Sequence, residues 1–288
     1  MVTHAGLLAL AFSMVGLLAT FILRPPSLLA ISVPGRPIDP IVATQLALLT
    51  ICGYGVIGAM DDRHSLSHLV HVVGPLTLAL PAAVLTLFRP ESVLGLVLFP
   101  ALQPIATVSL LIIVAVYILV VTNLINMHSG YNGLQSGLCL ILLGTLIVRV
   151  TLDGKLEGNL VLFLIAGGAA ALYPFNRYPA RAIEGNVGSF LFGSAIGVAI
   201  VTNGLFISGI VMLAPHIFDF LLFLYAKARG LPFIKYGRVR PDGTIEAPYP
   251  FKLKFLLPFY FHLTERQTVR ILYGITALAS AFSFAVNF

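Results

Sequence analysis

The run Ile105–Thr122 (IATVSLLIIVAVYILVVT) carries no charge and leads into Asn123-Leu-Ile-Asn126-Met-His-Ser-Gly-Tyr-Asn132-Gly133, after which a second uncharged run extends from Leu134 to about Val148. About 20 helical residues cross the hydrocarbon core of a bilayer, so each run has roughly the length of a membrane span. Three Asn, a His, a Ser and two Gly therefore stand where one span emerges and the next enters. Amides half-buried at such an edge cost free energy unless they find partners. Two readings are open. Asn and Gly tolerate left-handed backbone, which suits a tight interhelical turn; amides beside closely approachable backbone also bind phosphate, sugar or base edges.

The rest of the 288 residues repeats the apolar theme. Hydrophobic residues make up 58% and charged residues 10%, where a soluble domain has about 25% charged. Apolar runs fall at about 5–23, 41–60, 69–87, 105–122, 134–149, 160–173, 189–205, 207–226 and 268–286, the sixth short and the seventh parted from the eighth around Gly204–Gly209. The expected fold is all-α: one polytopic membrane bundle over 1–288 with about nine transmembrane helices and cytoplasmic active-site loops. Ser92–Leu102 is too short to cross and reads as interfacial or re-entrant. The first run lacks a basic leader and a small-residue cleavage site, so it reads as a retained helix. Cys52 and Cys139 lie in apolar runs and read as small core residues.

Orientation follows the bases. With the N-terminus in the cytoplasm, the loops after the second, fourth, sixth and eighth spans hold twelve of the 17 Lys and Arg, many of them in a basic loop at 229–265. The positive-inside rule favours that orientation. It places every polar cluster on the cytoplasmic face.

Asp61-Asp62 closes the second span. Acids at a helix C-terminus oppose the macrodipole, so they make poor caps and better metal ligands or bases. Gly185-Asn186-Val-Gly188-Ser189 opens the seventh span, where free N–H groups would suit an anion. Asp219 stands inside the eighth span near His216. It is either an intramembrane functional acid or a structural one, and substitution by Asn is expected to be tolerated. Lys235, Arg238 and Arg240 could clamp phosphates, and Asp242-Gly243 reads as a hairpin turn. His128 has no second His or Cys at ligand spacing and reads as structural.

Gly-Ala-Met-Asp61-Asp62, Asn123-x-x-Asn126-x-x-Ser-Gly-Tyr-Asn132-Gly133-Leu-Gln-Ser-Gly and Gly185-Asn186-Val-Gly188-Ser together resemble the polyprenyl-phosphate N-acetylhexosamine-1-phosphate transferases. The similarity is greatest to the eukaryotic and archaeal dolichyl-phosphate GlcNAc-1-phosphate branch, with the bacterial phospho-MurNAc-pentapeptide transferases more distant. It runs from about Gly55 to the C-terminus. The resemblance implies transfer of GlcNAc-1-phosphate from a UDP-sugar to polyprenyl or dolichyl phosphate, releasing UMP, at an early step of lipid-linked oligosaccharide assembly and protein N-glycosylation. It implies Mg²⁺ (or Mn²⁺) held by Asn126 and Asn186. Nucleotide-sugar contacts would come from Asn123, Asn132, Gly133 and Gly188. Asp61 and Asp62 would be catalytic, and His71, Lys235, Arg238 and Arg240 would bind phosphate. The bilayer is a partner, a homodimer is allowed, and no nucleic acid partner is expected. The setting would be a cell membrane, or the endoplasmic reticulum if the source is eukaryotic.

Three departures accompany the resemblance. Relatives commonly have Asp at the place of Asn186 and Lys at the place of His71, and they carry an Arg/His-rich cluster in the last large loop. Relatives also have one more helix before the Asp pair, so this chain would begin at their second helix. Two alternatives stay open: a catalytically silent homologue, and a transporter with an ion site at Asp219 and His216.

Overall fold

The computed structural model describes residues 5–23, 38–64, 66–87, 103–232 and 234–286; the Ser92–Leu102 piece lies outside them. The chain is a polytopic bundle of helices. In order these are α1 (Gly6–Leu23), α2 (Pro40–His64), α3 (His68–Leu78), α4 (Leu80–Leu87), α5 (Gln103–Met127), α6 (Leu134–Leu152), α7 (Val161–Asn176), α8 (Gly185–Thr202), α9 (Phe206–Met212), α10 (Ala214–Ala228), α11 (Leu253–Phe261) and α12 (Glu265–Phe282). Among the described residues, seven spans are long and apolar enough to cross a bilayer, eight if α9 and α10 count as one bent span. The shorter apolar helix α7 occupies the sixth run. Each of the nine expected runs thus holds a helix.

The spans are not all straight, and proline explains where they break. Pro81 sits at the second residue of α4, where its ring would clash with a carbonyl one turn back if α3 simply continued. The hydroxyl of Thr50 on α2 accepts the Ala82 N–H just beyond the break, at 3.1 Å. Pro215 plays the same part at the start of α10, and α9 and α10 meet at 67°.

The centre of the bundle is α8. Every residue from Val187 to Thr202 is buried, as expected for a helix that is apolar all round. It packs most extensively on α2 and α5. Gly193 and Gly197 form the α5 contact: a Cβ on Gly193 would reach Thr122 Cα at 2.8 Å, and one on Gly197 would reach Ile118 Cα at 3.1 Å. Small residues four apart let membrane helices approach to backbone contact. The outer helices instead expose large apolar side chains, among them Leu8 and Phe12 on α1 and Leu278 on α12. On a soluble protein such faces would aggregate; on a membrane bundle they face lipid. Cys52 and Cys139 are buried, free thiols.

Between α10 and α12 lies the basic loop. Its hairpin pairs β1 (Arg238–Val239) antiparallel with β2 (Ile245–Glu246), turning through Asp242 and Gly243, as the sequence suggests. The short α11 follows. Thr264 and Gln267 then form a reciprocal capping box that starts α12.

Candidate active site

Three helix ends converge: the C-termini of α2 and α5 and the N-terminus of α8. Asp62 reaches across from α2 and accepts the backbone N–H groups of Asn186 (2.9 Å) and Val187 (3.1 Å). A carboxylate at a helix N-terminus satisfies orphan donors and meets the positive end of the dipole. Asp62 is therefore a cap, though for a neighbouring helix and not its own. This corrects the expectation that Gly185–Ser189 offers free N–H groups to a substrate anion. The protein's own carboxylate fills that position.

Asp61 is equally engaged. One oxygen accepts the Leu66 N–H at 2.9 Å and lies 3.1 Å from His71 Nε2; the other accepts the Asn186 side-chain N–H at 2.7 Å. His71 is thus committed to Asp61, and its other ring nitrogen lies 3.1 Å from the Ser67 carbonyl. In this arrangement it orients an acid. The Ser189 hydroxyl stands 2.9 Å from Asn126 Oδ1 and 3.0 Å from the Asn186 carbonyl, linking the end of α5 to the start of α8. α2 comes this close because of Gly58, where any Cβ would strike the Asn186 backbone.

Asn126 and Asn186 line one cavity of about 550 Å³. Its wall is apolar at Met127, Phe223, Leu231, Pro232 and Ile234, and it carries four lysines, Lys227, Lys235, Lys252 and Lys254, with no carboxylate. The lysines differ in kind. Lys252 is buried and paired with Asp219 at 3.2 Å, while Asp219 also accepts the Leu253 N–H at 2.6 Å. Lys254 donates to the carbonyls of Ser129 and Lys235, both at 2.8 Å, and burial pulls its pKa down to about 8. It fits over Gly130 (φ +107°), where a Cβ would collide with the ammonium. Lys227 and Lys235 are exposed and pair with no carboxylate among the described residues.

Several expected site residues lie elsewhere. Arg238 is exposed on β1 and lines none of the cavities described here. Arg240 stays within the hairpin, 3.5 Å from the Thr244 hydroxyl and 3.1 Å from His262 Nδ1. Of the expected phosphate-binding bases, Lys235 lines the cavity with Asn126 and Asn186, joined there by Lys227, Lys252 and Lys254. Asn123 donates back to the Leu119 carbonyl on its own helix at 2.9 Å. Gly133 caps α6 with its carbonyl bound by the Tyr273 hydroxyl, and Gly188 is buried against α1 near Gly6. Asn132 donates its N–H to Glu265 at 2.5 Å and faces a separate cavity of about 590 Å³ with Arg177, Arg181, Arg266 and Arg270. The two cavities share no lining residue.

Lys252 and Lys254 had a sequence signal. A lone acid inside a membrane span needs a counter-ion, and Phe-Lys252-Leu-Lys254 opens an apolar helix. His128 and His216 pack edge to face with centroids 4.7 Å apart, both buried. Burial, and then the charges of Lys252 and Lys254, lower the His128 pKa to about 3, which keeps it neutral.

The profile of glycosyl transferase family 4 matches residues 44–204, more than half of the chain. The chain belongs to glycosyl transferase family 4. The matched stretch contains Asp61, Asp62, Asn126, Asn132 and Asn186, whereas the lysine arc lies beyond it. A Saccharolobus solfataricus protein provisionally named UDP-N-acetylglucosamine–dolichyl-phosphate N-acetylglucosaminephosphotransferase is 26% identical over 92% of this chain and 80% of its own length. A Sulfolobus acidocaldarius protein of the same provisional name is 24% identical over 92% and 79%. A phospho-N-acetylmuramoyl-pentapeptide-transferase from Desulforamulus reducens is 27% identical over 61% and 55%. The family makes this chain a membrane-embedded transferase.

Membership also raises the question of a divalent metal. Among the described residues, no group of three or more His, Cys, Asp or Glu could hold a metal ion. Mg²⁺ is usually held by one or two carboxylates with substrate phosphates and water. Here the Asn186 amide nitrogen is turned to Asp61, the Asn126 oxygen faces the Ser189 hydroxyl, and the only charges lining the cavity are cationic. Among the described residues no carboxylate lines the cavity itself, so a Mg²⁺ there would rest on Asn126, Asn186 and substrate phosphates, with Asp61 and Asp62 bonded to Asn186 behind them. Lysine ammonium groups are the charge the cavity offers to a diphosphate.

Proposed function

We propose that this chain is a sugar-phosphate transferase that moves a sugar 1-phosphate from a UDP-sugar to a polyprenyl phosphate at the cytoplasmic membrane face, with GlcNAc as the sugar and a dolichyl-type lipid as acceptor. An oxygen of the lipid phosphate attacks the phosphorus that bears the sugar. The bond from that phosphorus to the bridging oxygen breaks, and UMP leaves with the electron pair, giving lipid-diphosphate-sugar. No strong base is required, because a phosphate monoester with a second pKa near 6 is already largely ionised at neutral pH.

The observation that carries this proposal is the lysine cavity. Phosphoryl transfer asks a protein mainly for positioning and for neutralisation of charge. Asn126 and Asn186 stand at one side of the cavity, four ammonium groups surround it, and the apolar residues at Phe223, Leu231 and Ile234 suit the first isoprene units of a lipid. Lys227 and Lys235 meet the diphosphate. Lys252 and Lys254, tied to Asp219 and to the Ser129 carbonyl, hold the cavity wall in place. Asp61 and Asp62 act through position, by fixing the first turn of α8 and the Asn186 amide. The activities in the names of the archaeal relatives support the choice of UDP-GlcNAc and dolichyl phosphate.

Membranes containing the full chain, given radiolabelled UDP-GlcNAc and dolichyl phosphate, should yield butanol-extractable label and an equal amount of UMP. UMP release with UDP-GalNAc but not UDP-GlcNAc would keep the transfer and replace the sugar. Absence of product with either would sink the proposal. For the transporter alternative there is no support: Asp219 is already neutralised by Lys252.

A further inference from the structure

The arginine cavity is not used by the transfer. Arg177 follows α7, Arg181 lies in the next loop, and Arg266 and Arg270 stand one turn apart at the start of α12. The loop is held from below. Asn176 accepts the Ser136 hydroxyl at 2.6 Å and donates to the Ala182 carbonyl at 2.9 Å, while the Arg181 N–H bonds the Phe175 carbonyl at 2.8 Å. Two guanidinium groups rest on aromatic faces, Arg181 at 5.6 Å from the Phe175 ring centre and Arg266 at 5.2 Å from that of Tyr178. These contacts orient the cations without neutralising them. Among the described residues, none of the four arginines pairs with a carboxylate. Four like charges around one space repel one another, and an anion with several oxygens relieves that repulsion.

The position of the cavity indicates where the anion comes from. α7 and α12 each pack on α6 and not extensively on each other, which leaves a wedge between two membrane helices. Tyr273 lines it eight residues into α12, about 12 Å along the helix axis at 1.5 Å per residue. Tyr173 lines it from α7. Basic pockets between membrane helices at the cytoplasmic surface suit anionic lipid headgroups, and tyrosine is at home at that depth. Asn132, a nucleotide contact by resemblance, lines the edge of this cavity, so UDP is the competing occupant.

We propose that the wedge between α7 and α12 is a binding site for the phosphate headgroup of an anionic phospholipid, gripped by Arg177, Arg181, Arg266 and Arg270. The site is separate from the transfer cavity and stands whether or not the transfer proposal holds.

The full chain, purified in detergent, is titrated with phosphatidylglycerol or phosphatidylcholine and bound lipid is counted by native mass spectrometry. Phosphatidylglycerol should bind at least about tenfold more tightly than phosphatidylcholine. Arg177→Gln/Arg270→Gln should erase that preference and leave phosphatidylcholine binding unchanged. Arg177→Lys/Arg270→Lys should keep part of it, since lysine retains the charge and loses the bidentate fork. Equal affinity of the wild-type protein for both lipids would overturn the proposal, whatever the variants do. So would UDP displacing phosphatidylglycerol, or UDP affinity falling in step in the glutamine variant, since the cavity would then belong to the nucleotide.

Discussion

Two regions bordering the lysine cavity handle charge in opposite ways. At the junction of α2, α5 and α8, two carboxylates are held by backbone N–H groups, the Asn186 amide and a histidine ring. At the end of α10 and in the basic loop after it, four lysines meet one buried carboxylate, Asp219, and two of them are left to face the cavity. The first region fixes geometry and turns its two carboxylates onto its own backbone and side chains. The second is a charge source whose own fold hangs on one ion pair. Under the proposed transfer, neutralising a diphosphate and positioning it would fall to different parts of this chain, and each can be broken by itself.

The largest effect should come from Asp219→Asn. Both partners are almost fully buried, and removing one side of a buried pair costs about 3–5 kcal/mol because the other charge is left uncompensated. Thermal unfolding should show a large loss, and Asp219→Leu/Lys252→Met should recover much of it. Unchanged stability in Asp219→Asn would restore the expectation that Asn is tolerated, and would remove Lys252 as its partner.

Glu184, next to the α8 start, tests the acid-bearing region. It is buried, one carboxyl oxygen has no hydrogen-bond partner, and burial raises its pKa from 4.5 to about 7. A carboxyl whose folded pKa lies above the unfolded one binds protons better when folded. Stability should therefore be greatest below about pH 4.5 as far as this group is concerned, and fall by about 3 kcal/mol as pH rises through 7. Glu184→Gln should flatten that slope between pH 5 and 8 in thermal melts. A slope unchanged by the substitution would show that Glu184 is not its source.

Next in size, Lys235→Gln should lower turnover by about 10- to 100-fold with little change in melting temperature, as expected for loss of one charge that stabilises the transition state. The same loss from Arg238→Gln would return the phosphate role to the hairpin. The smallest effect is expected at Asn186. Replacing it with Asp would set a carboxylate against Asp61 and lose a hydrogen bond, lowering stability by about 1–2 kcal/mol without divalent ions. Millimolar Mg²⁺ should restore Asn186→Asp and leave the wild-type melting temperature unmoved. If Mg²⁺ stabilises the wild type as strongly, the natural amide pair does hold a metal.

Much of this was legible in the chain. A helix in each of the nine runs follows from their apolar character and near-span length, and the Asp61-Asp62, Asn126 and Asn186 positions meet because each lies at a helix end on one face. The partners were harder to read. Asp62 looked misplaced as a cap because it closes α2, yet the helix it caps begins 123 residues later at Gly185. Arg238 and Arg240 looked like the better phosphate ligands, and the hairpin turns them away, whereas Lys252 and Lys254 are brought in by a lone acid on α10.

By itself, then, the sequence determined that this chain fills a membrane with helices and gathers its amides, acids and bases at helix ends, because a bilayer tolerates only apolar spans with satisfied backbone. Tertiary structure decided which charge answers which. Hydrogen bonds and ion pairs act over a few ångströms, and residues more than a hundred positions apart, or adjacent on opposite faces of a hairpin, come within that range or miss it according to how the helices pack.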